Sequence, residues 1–475
     1  MARVVFFICF FCITAIGFSQ SQTPDWVANK PIYEVDISKV TKEGTFEAFR
    51  KQIPQIKALG VGIIWLQPIN KRGEFVVDHE YIRRNGGVKF PIPESAKIYG
   101  RNGCYSVGNH LELDPNYGTE KDFQKLVDAI HKAGMYVIVD FVANHTSWDH
   151  PLLKQKEQYY CQIKKDTYAF TAPWKGIAQL DFSQKAVWEY MYKAMDKMVA
   201  TYGIDGFRTD VGDRIPSDFW NWMKPKLTNS SQLYFLAEGD SPAVYPSHDA
   251  TYDWYLQPAF WSVIHGKRNV DAIYKILEYE QAHYPEGALR MRHATNHDTR
   301  YSKVAYPSMN RYFDRFAFDK SWYSQLPLKD KFGRGLEAFM VLCATLPNSQ
   351  PMILAGQEYN DLHIPEPVPY GYREVKPFYS DLFNTLANND ILVDGSFEAK
   401  EVAGFAKMLV FDRELDGNKI TVCINLAQEA VSLPNFALGI EVGAQDIFTG
   451  ESHSYSGVIF EPMGYQIFLT EQKGN

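Results

Sequence analysis

Three carboxylates follow short apolar segments, each at the point where a predicted strand ends. Asp210 ends the segment GFRTD, Glu238 ends FLAE and Asp298 ends NHD. One carboxyl group that donates a proton and a second that attacks as an anion can together cleave a glycosidic bond with retention of configuration. The three side chains can act together only if the fold brings these strand ends to one place.

The spacing of neighbouring strands suits this chemistry. Retaining enzymes hold the two carboxyl groups roughly 5–5.5 Å apart, and adjacent parallel strands lie about 4.8 Å apart. Asp210 and Glu238, at the ends of two consecutive strands, are therefore interpreted as nucleophile and acid. Arg208 points the same way as Asp210 along a strand and can keep it ionised. The alternative is an ordinary ion pair between Arg208 and either carboxylate.

Two histidines lie beside these segments. His145 ends a fourth strand segment, DFVANH, and His297 precedes Asp298. Both can donate hydrogen bonds to sugar hydroxyls, as Asp298 can accept them. Taken alone, each histidine is better explained as a structural core or surface residue.

The elements that must position these residues alternate between strand and helix. Apolar strand segments separated by helical patterns predict a parallel (β/α)8 barrel. An open doubly wound sheet is the alternative, but no glycine-rich phosphate loop follows the first strand. The predicted strands are residues 32–37, 62–66, 136–141, 206–209, 234–237, 251–254, 290–295 and 352–355.

The chain is divided into a barrel at residues 20–390 and a C-terminal β-sandwich at 391–475, where strands follow closely around an Asp416-Gly417 hairpin signal. Two connections, about 68–117 and 145–181, exceed what a minimal barrel needs. The second, a short inserted region after strand three, is rich in aromatic residues. It is interpreted as a substrate wall, with surface decoration as the alternative.

Residues 1–19 read as a signal peptide, with Arg3 before an apolar run that is too short to span a bilayer. The mature protein is therefore expected to be exported, periplasmic or secreted, with no membrane span. A net charge of -7 argues against a nucleic acid partner. Cys104 and Cys161 fall in loops on one predicted barrel face, so a disulfide between them is a hypothesis.

In combination, these motifs resemble the α-amylase family of glycoside hydrolases. The resemblance also includes GVGIIWLQPI at residues 60–69, CYSV at 104–107, DPNYGT at 114–119 and QPMILAGQE at 350–358. It implies an α-glucan or maltooligosaccharide substrate. It further implies that Asp210 is the nucleophile, Glu238 the acid/base and Asp298 the transition-state stabiliser, with Tyr105 stacking on the sugar and His145, Arg208 and His297 lining its subsite.

The chain departs from the family at two places. Asp213-Arg214 stand where typical members carry Lys-His toward the leaving-group sugars, and Gln179 stands where many place a calcium-binding aspartate. Asn144 matches the usual first calcium ligand, which makes it a candidate metal residue, although no cofactor is required for the chemistry. A neutral ligand alone does not make a site for calcium, which takes six to eight oxygens.

Retaining hydrolysis of α-glucosidic bonds is the function that these residues predict. A transglycosylase or an α-1,6-specific hydrolase would use the same intermediate and differ only in its acceptor subsites. A non-catalytic glucan-binding barrel is the alternative of another class, because a fold does not fix a function.

Overall fold

The computed structural model describes residues 23–100, 102–170, 174, 176–298, 332–359, 376–386, 389–453 and 456–471, and the predicted signal peptide lies outside them. Eight parallel strands close into a barrel in which each strand pairs with its neighbours in chain order and β1 pairs with β8. This confirms the predicted barrel. The strands are β1 Ile32–Val35, β2 Ile63–Leu66, β3 Tyr136–Phe141, β4 Gly206–Thr209, β5 Tyr234–Ala237, β6 Ala250–Tyr252, β7 Leu289–His293 and β8 Ser349–Leu354.

The barrel strands are short apolar runs because helices cover one face and the barrel interior the other. Every residue of β1, β2, β4, β5 and β6 is buried. Charged residues in these runs include Glu34 in β1, Asp140 in β3 and Arg208 in β4, which lie at the site, and Arg290 and Arg292 in β7, which pair with Glu280 and Asp253.

Helices connect the strands and cover the barrel. Glu120–Lys132 begins with a capping box between Thr119 and Asp122 and buries the stripe Phe123, Leu126, Val127 and Ile130. The helices among the described residues are Ile37–Val40, Phe46–Arg50, Ile53–Ala58, His79–Asn85, Glu120–Lys132, Pro151–Gln155, Lys185–Tyr202, Ser217–Met223, Leu256–Ile264, Asp271–His283, Leu336–Thr345, Lys376–Leu386, Asp390–Asp394 and Asn435–Leu438. None of these described helices is long and apolar enough to cross a membrane.

Gly206 sets the close approach of β4 to β5. Its φ of 155° lies in a region that side chains rarely adopt, and a Cβ atom there would collide with the carbonyl oxygen of Tyr234. Glycine therefore allows the register in which Thr209 lies opposite Ala237. That register places Asp210 and Glu238 side by side.

The inserted region forms strands of its own. Its first residues, His145–Ser147, pair antiparallel with Ile177–Gln179. Thr167–Tyr168 pairs with Gln162–Lys164 and with Val88–Lys89, so the insertion is joined to the other long connection.

The Cys104–Cys161 disulfide hypothesis is wrong, because both residues are free cysteines in this structure. Cys161 lies at the strand pairing of the insertion, where its Sγ donates to the carbonyl oxygen of Leu180. The charges acting on Cys104 are those of Asp36 and other groups near the barrel mouth, whereas Asp181 acts on Cys161. A shared barrel face, with the two connections paired elsewhere, did not bring the two sulfur atoms together as a disulfide.

Two sheets form the C-terminal β-sandwich, as predicted. The five-stranded sheet contains Ser396–Lys400, Met408–Leu415, Asn418–Asn425, Tyr465–Thr470 and Gln445–Asp446 in that order, and Val431–Pro434 pairs with Gly457–Phe460. Asp416 and Gly417 both have positive φ, as a two-residue hairpin turn requires. The sheets share a core that includes Met408, Val410, Leu433, Phe460 and Phe468.

Candidate active site

The carboxyl ends of the barrel strands bring the predicted site residues together. Asp210 and Glu238 follow β4 and β5 directly, and His297 and Asp298 lie four and five residues beyond β7. His145 lies four residues beyond β3, and Tyr105 precedes the strand Val107–Leu113 in the connection between β2 and β3. These ends meet at one face of a barrel, which is where barrel enzymes place their sites.

Arg208 lies at the centre of this group and is fully buried. Its Nη1 donates to Asp210 Oδ1 over 3.0 Å and to both oxygens of Asp140 over 2.9 and 3.0 Å. Its Nη2 lies 2.9 Å from Glu238 Oε2, an ion pair outside hydrogen-bond geometry. One guanidinium therefore contacts three carboxylates, two of which are the predicted nucleophile and acid.

Aromatic rings surround the Arg208 guanidinium. The ring centroids of Trp65, Tyr105 and Tyr252 lie 5.3, 5.8 and 5.7 Å from its Cζ. The hydroxyl of Tyr252 also accepts a 3.2 Å hydrogen bond from Arg208 Nε. Because these rings exclude water, they strengthen the ion pairs that the guanidinium makes.

Asp210 and Glu238 are electrostatically coupled. Burial, together with the negative charge of Glu238, raises the pKa of Asp210 well above its ordinary value, and Arg208 opposes that rise. Two carboxyl groups this close do not ionise independently, so the pair takes up its first proton at a higher pH than an isolated carboxyl group would. The site can therefore hold one proton for transfer.

The two oxygens of Glu238 have different surroundings. Oε2 faces Arg208 and accepts a 2.7 Å hydrogen bond from the backbone N–H of Val211. Val211 has a φ of 42°, a strained value for a β-branched residue, which aims its N–H at Glu238. Among the residues that the structure describes, none donates a hydrogen bond to Oε1, which leaves this atom to face a substrate.

His145 is a neutral donor beside Asp210. Burial lowers its pKa to about 3, against the opposing effect of its contact with the carbonyl oxygen of Tyr105. Nε2 lies 3.1 Å from that oxygen and 4.0 Å from Asp210 Oδ2, and Nδ1 accepts from the side-chain amide of Asn144. The contact with Asp210 is therefore polar and carries no charge on the histidine at neutral pH.

His297 contacts the side chain of Tyr105, and Asp298 contacts His297. The Tyr105 and His297 rings stack with centroids 5.1 Å apart, and Tyr105 Oη lies 2.9 Å from His297 Nε2. The same Nε2 lies 3.2 Å from Asp298 Oδ2. Since Tyr105 also donates to Asp140 over 2.7 Å, it joins the histidine to the Arg208 cluster.

Sequence reasoning missed Glu34, Trp65 and Tyr252. Glu34 Oε1 lies 2.5 Å from His297 Nδ1, and the other two contact Arg208. A signal for Glu34 was present, because it is the one charged residue in the apolar strand Ile32–Val35. Trp65 and Tyr252 carried none, since aromatic residues are expected in buried strands.

The residues around Asn144 do not fit calcium. Gln179 Nε2 donates to Asn144 Oδ1 over 3.0 Å, so an amide donor lies where a cation would need an oxygen. In the part of the chain that the structure describes, no group of three or more His, Cys, Asp or Glu side chains could hold a metal ion. The two amides join the end of β3 to the strand Ile177–Gln179 without a charge.

Asp213 and Arg214, the second departure, follow the nucleophile in a short 3-10 helix. The side chain of Asp213 packs on Gly239, next to Glu238. The guanidinium of Arg214 lies 5.3 Å from the ring of Trp174, which is 44% exposed. An exposed cation and an exposed aromatic ring therefore lie together beside the segment that follows Asp210.

Comparisons with known proteins agree with this geometry. The family model described as "Alpha amylase, catalytic domain" matches residues 17–176. "Alpha-amylase 2" of Dictyoglomus thermophilum is 24% identical over 464 residues, which cover 92% of this chain and 73% of the relative. "Alpha-amylase MalA" of Haloarcula japonica is 21% identical over 91% of this chain and 60% of the relative, so the chain spans less than two thirds of that protein.

A solved alpha-amylase from Lactobacillus plantarum has the same fold, with a TM-score of 0.73 and 20% identity over 94% of this chain and 100% of that one. The match therefore includes both the barrel and the region that follows it. The chain is therefore similar to alpha-amylases in sequence, with residues 17–176 matching the catalytic-domain model, and in fold over 94% of its length.

Proposed function

We propose that this protein hydrolyses α-glucosidic bonds of starch-like glucans or maltooligosaccharides with retention of anomeric configuration. The observation that carries the proposal is the contact of Arg208 with both Asp210 and Glu238. A binding protein has no need of two coupled carboxylates on one buried guanidinium, because such a cluster is costly to desolvate.

In the first step, Asp210 attacks the anomeric carbon and forms a glycosyl ester. Glu238 donates its proton from Oε1, the oxygen left open by Arg208 and Val211, to the departing glycosidic oxygen. Arg208 keeps Asp210 oriented through the 3.0 Å hydrogen bond. The bond to the leaving sugar breaks as the bond to Asp210 forms.

In the second step, Glu238 takes a proton from a water molecule. The oxygen of that water attacks the same carbon on the face opposite Asp210. Asp210 leaves as a carboxylate, and the product regains the α configuration. His145, His297 and Asp298 hold the sugar hydroxyls, with Asp298 stabilising the distorted ring. Tyr105 supplies the stacking surface.

Transfer to a sugar acceptor, or preference for α-1,6 bonds, is the second candidate. It is favoured by one observation, the contact of Trp174 with Arg214, which belongs to the Asp213-Arg214 pair that replaces the family's Lys-His. An exposed ring with a cation over it can seat an acceptor sugar in competition with water. The intermediate on Asp210 is the same in both reactions.

Export of the protein is a further part of the proposal and is supported by the signal-like sequence of residues 1–19. The substrate would then be a glucan outside the cytoplasm. The test is cell fractionation, with N-terminal sequencing of the mature chain. A cytoplasmic protein that retains residues 1–19 would contradict it.

The activity is tested by product analysis on amylose, maltooligosaccharides and pullulan, with NMR of the first-formed anomer. We expect α-anomers from α-1,4 substrates, and longer oligosaccharides only where transfer competes. Asp210→Asn keeps the shape of the nucleophile, so it should still bind maltooligosaccharide. Its kcat should fall by more than the roughly 10²–10⁴-fold that general acid–base catalysis supplies. Binding without turnover by the unaltered protein would instead support a glucan-binding role.

A further inference from the structure

Glu34 is a fully buried carboxylate that the proposed mechanism does not use. It lies on β1, where Oε1 accepts a 3.0 Å hydrogen bond from Gln67 Nε2 and lies 2.5 Å from His297 Nδ1. A buried charge is costly unless it is paired. Of these two partners Gln67 is neutral, so His297 is the one that can supply a compensating charge.

The hydrogen bonds around His297 fix where its protons lie. Tyr105 donates its single hydroxyl proton to Asp140 Oδ2, so at its 2.9 Å contact with His297 it can only accept. Nε2 of His297 therefore carries a proton. Nδ1 faces a carboxylate oxygen of Glu34, which also accepts, so Nδ1 carries the second proton.

We propose that Glu34 is a positioning residue that keeps His297 a cation facing Asp298 in the sugar-binding site. The proposal rests on the proposed function, since it assigns His297 and Asp298 to that site. The imidazolium Nε2 lies 3.2 Å from Asp298 Oδ2 and can hold this carboxylate in position for the sugar. Glu34 thus acts through His297 and does not touch the substrate.

Charged groups from several elements face His297, and their balance favours the cation. Burial and the Arg208 guanidinium of β4 disfavour it, whereas His293 on β7, whose own pKa is lowered to about 4, carries no charge at neutral pH. Asp298, Glu34 of β1 and, from β3, Asp140 favour it. The remaining neighbours, Tyr105 and the edge of the Trp65 ring 5.9 Å away, are uncharged.

The net effect of these groups is large. Burial lowers the pKa of His297, but the charges of Asp298 and Glu34 and the Glu34 hydrogen bond outweigh it and raise that pKa to about 10. The imidazolium should therefore persist through neutral pH and be lost only in strongly basic solution.

The test is NMR titration of the full chain with ¹³C-labelled histidine, with the His297 signal assigned from its absence in His297→Gln. In the unaltered protein the midpoint should lie near 10. Glu34→Gln keeps the shape and an acceptor oxygen but removes the charge, so the midpoint should fall by about 1–3 pH units. The basic limb of kcat/KM should move to lower pH by a similar amount.

Two variants serve as controls. Gln67→Met removes the neutral donor to the same oxygen of Glu34 and should leave the His297 midpoint within a few tenths of a unit. Glu34→Asp keeps the charge on a shorter side chain, so its His297 midpoint should lie between that of Glu34→Gln and that of the unaltered protein. A purely structural role for Glu34 predicts no such rescue by charge.

A midpoint near 6.5 in the unaltered protein, or one that Glu34→Gln does not move, would overturn the proposal. If Glu34→Gln does not fold, the His297 midpoint of the unaltered protein still tests the proposal, because a value near 10 supports it and a value near 6.5 overturns it. Absence of glucan turnover with the expected NMR shifts would refute the proposed function and support the Glu34–His297 pairing.

Discussion

Arg208 and Asp210 extend in the same direction from β4, and Nη1 of the arginine donates to Oδ1 of the aspartate over 3.0 Å. The same nitrogen binds Asp140 on β3, the next strand of the barrel. The orientation of Asp210 is therefore fixed through two strands, and Glu238 on a third strand contacts the same guanidinium.

Replacement of Arg208 by lysine should show how much this shared contact contributes. Lysine keeps the charge but has one nitrogen, which cannot reach Asp140, Asp210 and Glu238 together. We expect kcat/KM on maltooligosaccharides to fall at least about 10²-fold, as for a small misplacement of reacting groups. The free energy of unfolding in urea should fall by about 3–5 kcal/mol, because buried carboxylates lose their partner.

Arg84→Lys is the matched control, because Arg84 makes an exposed ion pair with Glu80 far from the site in sequence. This variant should change neither kcat/KM nor the free energy of unfolding. Near-normal kcat/KM in Arg208→Lys would contradict the role given to the guanidinium.

Glu238→Gln should separate the two steps of the reaction. An amide cannot protonate the leaving oxygen, so cleavage of glucans should fall by about 10²–10⁴-fold. An α-maltooligosaccharide with a dinitrophenyl leaving group needs no such proton and should still form the ester with Asp210. Stopped-flow measurement should therefore show a burst of dinitrophenol followed by slow turnover.

Added azide should accelerate that slow turnover, because it attacks the ester without a general base, and should give a glycosyl azide. Asp210→Asn forms no ester, so it serves as the control that azide does not rescue. If Glu238→Gln loses glucan and activated substrates equally, Glu238 is not the proton donor.

Stability should decrease steeply in mild acid. Burial lowers the pKa of five histidines to between about 2 and about 4, so the folded chain stays unprotonated where an unfolded histidine, with a pKa near 6.5, binds a proton. Between pH 6.5 and 4 these five histidines hold more protons in the unfolded state, so their contribution to stability falls as pH falls. The histidines are His110, His145, His150, His248 and His293.

Each of these histidines can contribute up to about 1.4 kcal/mol per pH unit in that window. His297 acts differently, because its raised pKa of about 10 gives stability that is present below pH 6.5 and lost as pH rises through 10. Urea unfolding at pH 7, 6, 5 and 4 measures the slope. A flat profile over this range would show that these histidines are accessible to protons in the folded state.

Removal of divalent cations should leave the insertion in place. The Gln179–Asn144 amide pair joins it to β3 without a metal, so EDTA should not lower the thermal unfolding midpoint. Gln179→Ala removes that hydrogen bond and should cost about 1 kcal/mol, equally with calcium and with EDTA. A midpoint that falls in EDTA and recovers with calcium would show that a cation is bound.

Much of the barrel was predictable because its strands are uninterrupted apolar runs. Predicted and observed bounds agree for Tyr136–Phe141, Gly206–Thr209 and Tyr234–Ala237. Polar residues directly after such runs must lie at one barrel face, which is why Asp210 and Glu238 could be identified from the sequence. Their contact with Arg208 follows from the two-residue repeat of a strand.

The supporting contacts of the site were not predictable, because they join distant parts of the chain. The Glu34–His297 contact connects residues 263 positions apart, and Tyr252 reaches Arg208 across two strands. The Cys104–Cys161 hypothesis failed for the same reason, since a common face does not specify which side chains meet. Strand order can be read from periodicity, but side-chain partners across a barrel mouth cannot.

Tyr105 contributes three different groups to three different neighbours. Its carbonyl oxygen contacts His145, its hydroxyl binds Asp140, and its ring stacks on His297. A displacement of this one loop residue would therefore release both histidines and uncover Arg208 simultaneously. We therefore expect the site to lose its sugar and the arrangement of its catalytic residues in one step. A site that has lost part of its sugar contacts would then no longer hydrolyse.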